Sequence, residues 1–487
     1  MKKHTYIKII AVCIFFLNCY TAFCQSKEEV IKLKELAVNE VENLQEELLN
    51  LSDSIWHFAE LKFEENKSSN LLIHTLKNAG FEIQENVGGL PTGFVASFGN
   101  EKPVIGIIGE FDALPGISQK DLPIKEPLIK DGNGHACGHN LFAAGSLGGA
   151  LAIKKLISEG KIKGTVKFFG TPAEEGGGGK IYMIQAGAFD GVDFCFDWHP
   201  AQETKAHVQP SQAATTLEIE YFGKSAHAGL FPWKGKSAQD AMELFADGVN
   251  LLREHVQPTA RMQYTFRESG KANNIVPDYA KVSITLREAT FESLQYIKGR
   301  IEKIAEGASL MADVDYRIDD NFVTNHQWVN NRTGGQLIHE NLEILGSISF
   351  SESEITFAKT MQKNMNLPEV GFKNEIRKME ETKSTPMRGG SDVGDVSWNV
   401  PEISFVVTAL PDKVPMHSWG MVACGGNSIG HKSLIYASKV LAMTMIDLYT
   451  NEENQKNVRM EYKERRGEIP YVPLVPKLED QLNRIKK

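Results

Sequence analysis

The sequence has little cysteine once its first residues are set aside. Half of its six cysteines, Cys13, Cys19 and Cys24, lie near the N terminus. The others are too few, too scattered and odd in number to form a framework of disulfides. At least one of these three thiols, at positions 137, 195 and 424, is therefore expected to have another role.

An excess of basic residues is also missing. The chain has 53 Lys and Arg against 62 Asp and Glu, a formal net charge of -9 with neutral histidines. Without a basic surface, neither nucleic acid nor an anionic membrane is expected as a partner. Internal repeats and low-complexity tracts are absent, and the composition is that of a soluble globular protein. A chain of 487 residues is too long for one ordinary core, so two domains are expected.

Long apolar runs are absent too, and the short one at the N terminus has the pattern of an export signal. Three lysines within the first eight residues precede an apolar stretch at 9–17 and a small-residue cleavage site. The stretch is too short to span a bilayer comfortably. We expect residues 1–24 to be a signal peptide, cleaved near Cys24 and Gln25. The mature chain would then be periplasmic or extracellular without membrane insertion; a buried N-terminal helix is the alternative.

After an amphipathic helical region predicted at 25–65, short apolar runs alternate with helical stretches. Buried strands are predicted at 104–109, 165–170, 192–197 and 403–409. Strands separated by helices favour an α/β fold, with a mostly parallel sheet and helices on both faces. We assign residues 25–212 and 319–450 to this discontinuous larger domain.

Residues 213–318 have a different pattern. The order is strand, helix, strand, strand, helix, strand, which is the split βαβ arrangement of a ferredoxin-like α+β module. The module is inserted in the larger domain, because the α/β pattern resumes after it. The tail at 451–487 is charged and contains three prolines, which predicts an extended, peripheral segment.

Acidic residues and histidines stand at or just after the predicted strands of the larger domain. They are Asp112, Glu174, Glu175, His199 and His417. In open α/β sheets, ligands bind outside the carboxyl ends of the strands. We therefore expect these side chains to gather at one edge of the sheet.

The densest cluster is Cys137, which lies between His135 and His139 at the start of a small-residue helix. Thiolate, imidazole and carboxylate together suit a transition metal such as zinc. One site saturates with about four such groups, so two ions with a shared ligand are expected. A buried cysteine alone is more often core packing, but the set together indicates metal. A nucleophilic cysteine at position 137 is the main alternative.

Five motifs carry a resemblance that covers essentially the whole mature chain. They are FDALP, HACGHN, PAEEGGGG, WHP and MHSWG. The chain resembles the aminoacylase and amidohydrolase family of two-metal peptidases, in the branch of hippurate hydrolase and plant auxin-conjugate hydrolases. The SDVGDVSW run, Glu110 and Asn140 place the nearest likeness in the subgroup of aminobenzoyl-glutamate hydrolases and β-alanyl dipeptidases.

The resemblance implies a role for each motif residue. The metal ligands would be Cys137, His139, Glu175, His199 and His417. Cys137 would replace the bridging aspartate of more distant relatives. Glu174 would be the general base and then the acid, and Asp112 would orient a ligand. Both ions would be divalent, with zinc favoured and manganese or cobalt as alternatives.

The inserted module resembles the family's lid or dimerisation domain. His227 would reach the site and stabilise the oxyanion. Asn274, Arg287 and Gly390 match positions around the free carboxylate of the substrate, where a guanidinium is suitable. An exposed strand arginine is the alternative for Arg287.

Together these features predict hydrolysis of an amide bond in a small N-acyl amino acid such as aminobenzoyl-glutamate. A hydroxide held between the ions would attack, with Glu174 as the base. An exported β-alanyl-type dipeptidase is the alternative. A non-catalytic partner subunit and a binding protein that keeps the pocket are further alternatives. A homodimer, or a heteromer with a related subunit, is the expected assembly.

Overall fold

The structure is a computed structural model that describes residues 26–379 and 389–485. The predicted signal peptide at 1–24 lies outside the described residues. The helices are α1 (Lys27–Asn43), α2 (Gln45–Phe58), α3 (Asn66–Asn78), α4 (His139–Ser158), α5 (Gly179–Gln185), α6 (Ala238–Leu252), α7 (Phe291–Ala312), α8 (Arg332–Leu345), α9 (Glu352–Asn364), α10 (Val393–Ser397), α11 (Trp419–Gly425), α12 (Ser428–Thr450), α13 (Glu452–Arg466) and α14 (Leu478–Ile485). The strands are β1 (Glu82–Glu85), β2 (Phe94–Gly99), β3 (Val104–Glu110), β4 (Thr165–Thr171), β5 (Phe194–Ala201), β6 (Lys205–His207), β7 (Ala213–Phe222), β8 (Arg261–Glu268), β9 (Tyr279–Glu288), β10 (Asp315–Asp319) and β11 (Glu402–Thr408).

The larger sheet has the strand order β1-β2-β4-β3-β5-β11-β6. Its four central strands are parallel to one another, whereas β1, β2 and β6 pair antiparallel at the two sides. Strand β3 is buried almost throughout, which explains its continuous apolar sequence because central parallel strands are covered on both faces. The predicted α/β fold with a largely parallel sheet is confirmed.

Helix α4 packs closely against α12 on this sheet, and its glycines explain how. A Cβ at Gly148 would come within 2.4 Å of the Ser438 hydroxyl, and one at Gly149 within 2.9 Å of Leu441 Cβ. By length and composition α4 resembles a membrane span, but 78% of its apolar window is buried. It is the central core helix, and its N terminus opens at the sheet edge where β3, β4 and β5 end.

The second sheet has the order β10-β7-β9-β8 and is antiparallel throughout. Helices α6 and α7 pack against it around an apolar core of its own, which includes Leu217, Phe245, Ile284 and Ile301. The element order β7-α6-β8-β9-α7-β10 is that of the split βαβ module predicted from the sequence. We call this part of the chain the lid module.

The N-terminal helical region differs from the prediction. It consists of two helices, α1 and α2, that meet at Leu44, and the chain leaves α2 at Ala59 in a left-handed conformation with φ 42°. Residues 59–65 are not helical and lead into α3. The apolar spacing of the two helices is continuous, which is why one long helical region was predicted.

The prediction of an extended, peripheral tail is wrong. Residues Glu452–Arg466 form α13, and the extended segment after it binds to the rest of the protein. Leu474 accepts a hydrogen bond from the backbone N–H of Thr324 at 2.9 Å, and the Pro476 carbonyl accepts one from the Tyr182 hydroxyl at 2.7 Å. The Tyr471 hydroxyl donates to Asp395 at 3.0 Å. The prolines do keep the segment extended, but its carbonyls and aromatic ring fasten it.

Replacing Tyr471 by Phe tests this fastening. The change removes the hydroxyl from the buried Asp395 and keeps the ring, which lies 4.9 Å from that of His326. We expect the free energy of unfolding to fall by about 1–2 kcal/mol, because a buried acceptor loses its donor. Urea denaturation measures it. The control is Tyr316→Phe, whose ring is 38% exposed on the lid module; equal losses in both variants would contradict the fastening.

Candidate functional site

The loop before α4 brings a thiol and two imidazoles together. Gly138, which separates Cys137 from His139, has φ 77°, and a Cβ there would come within 2.8 Å of the Pro200 ring. Glycine therefore allows this loop to approach the end of β5 closely. As a result, the Cys137 Sγ lies 3.4 Å from the His199 Nε2.

Two sets of three possible ligands share one sulfur atom. Cys137, His139 and His199 form the first set, and Cys137, Glu175 and His417 form the second; within each set the ligand atoms lie within 4.8 Å of one another. The His417 Nε2 lies 3.3 Å from the Cys137 Sγ and 3.5 Å from the Glu175 Oε1. We call these sets the two triads. The structure thus brings together all five side chains that the sequence suggested as ligands.

Two buried polar atoms of the triads indicate that the site fits metal ions. His139 Nε2 and Glu175 Oε1 have no hydrogen-bond partner among the described residues. Buried polar atoms are rarely left unsatisfied, and a cation would satisfy both. A thiolate, imidazoles and a carboxylate are ligands that suit zinc and related divalent ions. The residues fit a pair of ions that share Cys137.

Asp112 orients the triads from behind. Its Oδ1 lies 2.8 Å from the His139 Nδ1, and its Oδ2 accepts the backbone N–H of Glu175 at 2.8 Å. The first contact favours the tautomer that leaves Nε2 available for an ion. Asp112 therefore lies where an orienting residue was predicted, and it also holds the loop that carries Glu175.

Burial keeps the acidic groups of the site protonated in the metal-free protein. It raises the pKa of the Cys137 thiol to about 12. It raises the pKa of Glu175 to about 8, with the Glu174 and Asp112 carboxylates adding to the rise. Burial and the neighbouring Glu110 carboxylate also raise the pKa of Glu174. Because a nearby cation favours the charged forms, metal binding is expected to release protons.

The triads open into a cavity of about 750 Å³ between the large sheet and the lid module. Glu174 lines this cavity beside the triads. The lid module contributes Thr216, Thr285 and Arg287. Gly390 lies against Arg287, since a Cβ at Gly390 would be 3.4 Å from the guanidinium Nη1. A substrate in this cavity could therefore contact the triads and a guanidinium at the same time.

Two predicted site residues lie elsewhere. His227 is exposed on the lid module, and its Nδ1 accepts the backbone N–H groups of Gly229 and Leu230 at 3.2 Å. Asn274 is exposed beside it, and its carbonyl accepts the N–H of Ala228 at 3.0 Å. Within the described part of the chain neither residue lines the cavity. Their roles stay predictions.

Sequence reasoning missed a buried ion-pair cluster next to the triads. Lys180 is fully buried, with its Nζ 2.7 Å from Glu110 Oε1 and 2.6 Å from Asp392 Oδ1. Glu110 Oε2 in turn lies 3.2 Å from the His139 Nε2. A lysine in the otherwise apolar start of α5 was the available signal, because a buried lysine requires a partner.

Glu65 is a second residue that sequence reasoning missed. It is fully buried, and its carboxylate accepts the Ala173 backbone N–H and the Thr92 hydroxyl, both at 2.8 Å. Burial, together with the charge of Asp112, raises its pKa to about 8. Since Ala173 precedes Glu174 and adopts φ 59°, Glu65 supports the strained turn that presents the glutamate pair.

Similarity to known proteins agrees with this geometry. The model of peptidase family M20/M25/M40 matches residues 106–419. One of the subunits of the p-aminobenzoyl-glutamate hydrolase of Escherichia coli (strain K12) is 33% identical over 457 residues, which are 88% of this chain and 94% of that relative. The Xaa-Arg dipeptidase of Mus musculus is 29% identical over 453 residues, covering 90% of this chain and 94% of the relative.

A solved structure shows the same fold. The crystal structure of a dinuclear metal binding peptidase of the M20 family from Bacillus subtilis superposes with a TM-score of 0.58 at 21% identity. The match covers 84% of this chain and 99% of that chain.

The shared sulfur atom gives a specific prediction for metal content. Cys137→Ser weakens a ligand of both triads, so we expect bound metal to fall from about two ions to less than one per chain. His417→Ala affects one triad and should retain about one ion. Elemental analysis after gel filtration measures both.

The matched control is Cys195→Ser, because Cys195 is also a buried free thiol but belongs to neither triad. This control should keep the wild-type metal content. Two ions retained by Cys137→Ser would contradict the shared role.

Proposed function

The chain belongs to peptidase family M20/M25/M40 and is a metal-dependent amidohydrolase or peptidase, and from this premise we propose the bond that it cleaves. The substrate is a small N-acylated amino acid of the p-aminobenzoyl-glutamate type, and the scissile bond is its amide. The observation that carries the proposal is the combination of two triads on Cys137, Glu174 beside them and Arg287 on the wall of the same cavity.

The metal centre that we propose holds two divalent ions. Cys137, His139 and His199 would bind one, and Cys137, Glu175 and His417 the other. The name of the Bacillus subtilis neighbour, which describes a dinuclear protein, supports this arrangement. When bound, the ions would polarise the amide carbonyl and lower the pKa of water. The thiolate and imidazoles favour zinc, whereas the carboxylate also allows manganese or cobalt.

The chain's own side chains supply the other parts of the reaction. Glu174 takes a proton from the attacking water and returns it to the leaving amine. Its raised pKa suits a group that must hold that proton between the two steps. Arg287 binds the free carboxylate of the substrate through paired hydrogen bonds. Asp112 keeps His139 in the tautomer that binds metal.

His227 and Asn274 enter this proposal only through motion or assembly. Both are exposed on the lid module, so the predicted oxyanion role of His227 requires closure of the lid or contribution from a second chain. The Escherichia coli relative is named as one subunit of a hydrolase, which supports a heteromer with a related chain as one form of that assembly. Export of the mature chain is likewise part of the proposal.

Two other functions are weighed by specific observations. The similarity to an Xaa-Arg dipeptidase over 90% of this chain favours dipeptidase activity as the second candidate. A non-catalytic partner subunit could lose its base without cost. The presence of Glu174 and of both complete triads supports an active enzyme instead.

Replacing Glu174 by Gln tests the function directly. The neutral amide keeps the shape but cannot carry the proton, so we expect turnover to fall by about 100-fold or more. Bound metal should stay unchanged, because Glu174 belongs to neither triad. Hydrolysis of p-aminobenzoyl-glutamate, hippurate and β-alanyl-lysine is measured in parallel. The exposed Glu64→Gln is the control; equal activity of Glu174→Gln and wild type would contradict the assignment.

Arg287→Met tests the carboxylate pocket. We expect kcat/KM for p-aminobenzoyl-glutamate to fall about 10- to 100-fold, mainly through KM, because a charge-assisted hydrogen bond is lost. Arg261 is the matched control, since it is paired with Arg287 on the neighbouring strand but is exposed and does not line the cavity. Arg261→Met should leave KM unchanged, and similar effects of both changes would argue against the pocket.

A further inference from the structure

The Glu110 carboxylate lies among the ligand atoms although it belongs to neither triad. Its Oε2 is 3.2 Å from the His139 Nε2. Glu110, His139 and Glu174 form a third group whose ligand atoms lie within 4.8 Å of one another. Ligands bound at about 2.0–2.2 Å to one zinc ion are separated by roughly 3–3.5 Å. Glu110 is therefore close enough to bind the same ion as His139.

The other oxygen of Glu110 faces a buried ammonium group. Lys180 Nζ lies 2.7 Å from Glu110 Oε1, and the Lys180 side chain is completely buried. A buried lysine is a compact charge with three donors. It offers Glu110 a cationic partner inside the protein.

Asp392 holds Lys180 in this position from two sides. One oxygen lies 2.6 Å from Lys180 Nζ, and the other accepts the backbone N–H of Lys180 at 3.0 Å. The loop before Lys180 is tight as well, because a Cβ at Gly179 would lie 1.9 Å from the Pro172 carbonyl. Lys180 is thus tied to the loop that carries Glu174 and cannot move away from Glu110 without breaking these contacts.

The ammonium changes what Glu110 can do. A carboxylate that already accepts a hydrogen bond from a cation is a poorer ligand for a second cation. The positive charge also opposes an additional ion near Glu110 and Glu174, since Coulomb repulsion is strong in a site shielded from water. His139 then stays available to the triad with Cys137 and His199, and Glu174 stays free to carry a proton.

We propose that Lys180 is a positioning residue that holds Glu110 out of the metal centre, so that neither His139 nor Glu174 is captured in a third metal site. The inference rests on the two-ion centre of the proposed function. It assigns the Lys180–Asp392 pair to the control of metal coordination, in addition to any contribution to folding.

Two variants, each purified as the full mature chain, separate this role from a structural one. Glu110→Gln should bind two zinc ions with wild-type affinity, because Glu110 is not a ligand. Lys180→Met frees Glu110, so we expect zinc to bind about 10-fold or more tightly, or a third ion to appear, with kcat about 10- to 100-fold lower. A merely structural lysine would change metal binding in the opposite direction and weaken it.

The affinity is measured by competition with a chelator and the stoichiometry by elemental analysis. The visible spectrum of the cobalt-substituted protein gives a third readout, because an added carboxylate raises the coordination number and weakens the absorption. Lys180→Met/Glu110→Gln should restore the wild-type affinity and spectrum. If Lys180→Met does not fold, Lys180→Met/Asp392→Asn, which removes one charge of each sign, replaces it and should show the same tightening.

Loss of an ion in Glu110→Gln would overturn the inference, because Glu110 would then be a ligand. Unchanged or weaker zinc binding in the Lys180 variants would also overturn it. Both results leave the proposed function intact if the wild-type protein binds two ions and hydrolyses its substrate. A wild-type protein that binds no divalent ion would overturn the proposed function and this inference with it.

Discussion

The position of one sulfur atom constrains most of the structure around it. The Cys137 Sγ must lie within about 3.5 Å of two imidazoles that come from distant parts of the chain, which requires the ends of several elements to meet at one point. Parallel strands β5 and β11 bring His199 and the loop with His417 to the same edge. Gly138 permits the close approach to Pro200, and α4 fixes the loop because it is buried in the core.

The same constraint gathers negative charge in the interior, and this has an energetic cost. Glu65, Asp112, Glu174 and Glu175 lie close enough together to influence one another's pKa. In the metal-free protein, burial favours the protonated forms of Glu65, Glu174 and Glu175. Divalent ions would offset the charge of the deprotonated ligands, so metal binding and folding stability are expected to be coupled. Lys180 balances part of the remaining charge on the side away from the triads.

The sequence was sufficient for those parts of the site that follow from sheet geometry. Parallel strands end at one edge, and the ligand types at those ends indicated the five triad residues and Glu174 before any contact was known. The lid module was predicted with its elements in the right order, because its alternation of strands and helices is local. Helix α7 was foreseen from its apolar spacing, which directly reflects the burial of Leu294, Ile297 and Ile301.

Features that depend on packing between distant segments could not be predicted in this way. The pairing of Lys180 with Glu110 and Asp392 joins three parts of the chain, and no local pattern encodes it. The tail was misjudged because its charge and prolines indicate an exposed segment, whereas backbone carbonyls and Tyr471 attach it. Arg287 lines the cavity but His227 does not, since both depend on the orientation of the lid module.

The most direct test is a crystal structure of the zinc-loaded protein with anomalous data collected at the zinc edge. The account predicts two anomalous peaks about 3.5–4 Å apart, with the Cys137 sulfur about 2.3 Å from both. A single peak, or two peaks of which only one is bonded to Cys137, would contradict the shared thiolate on which the account depends.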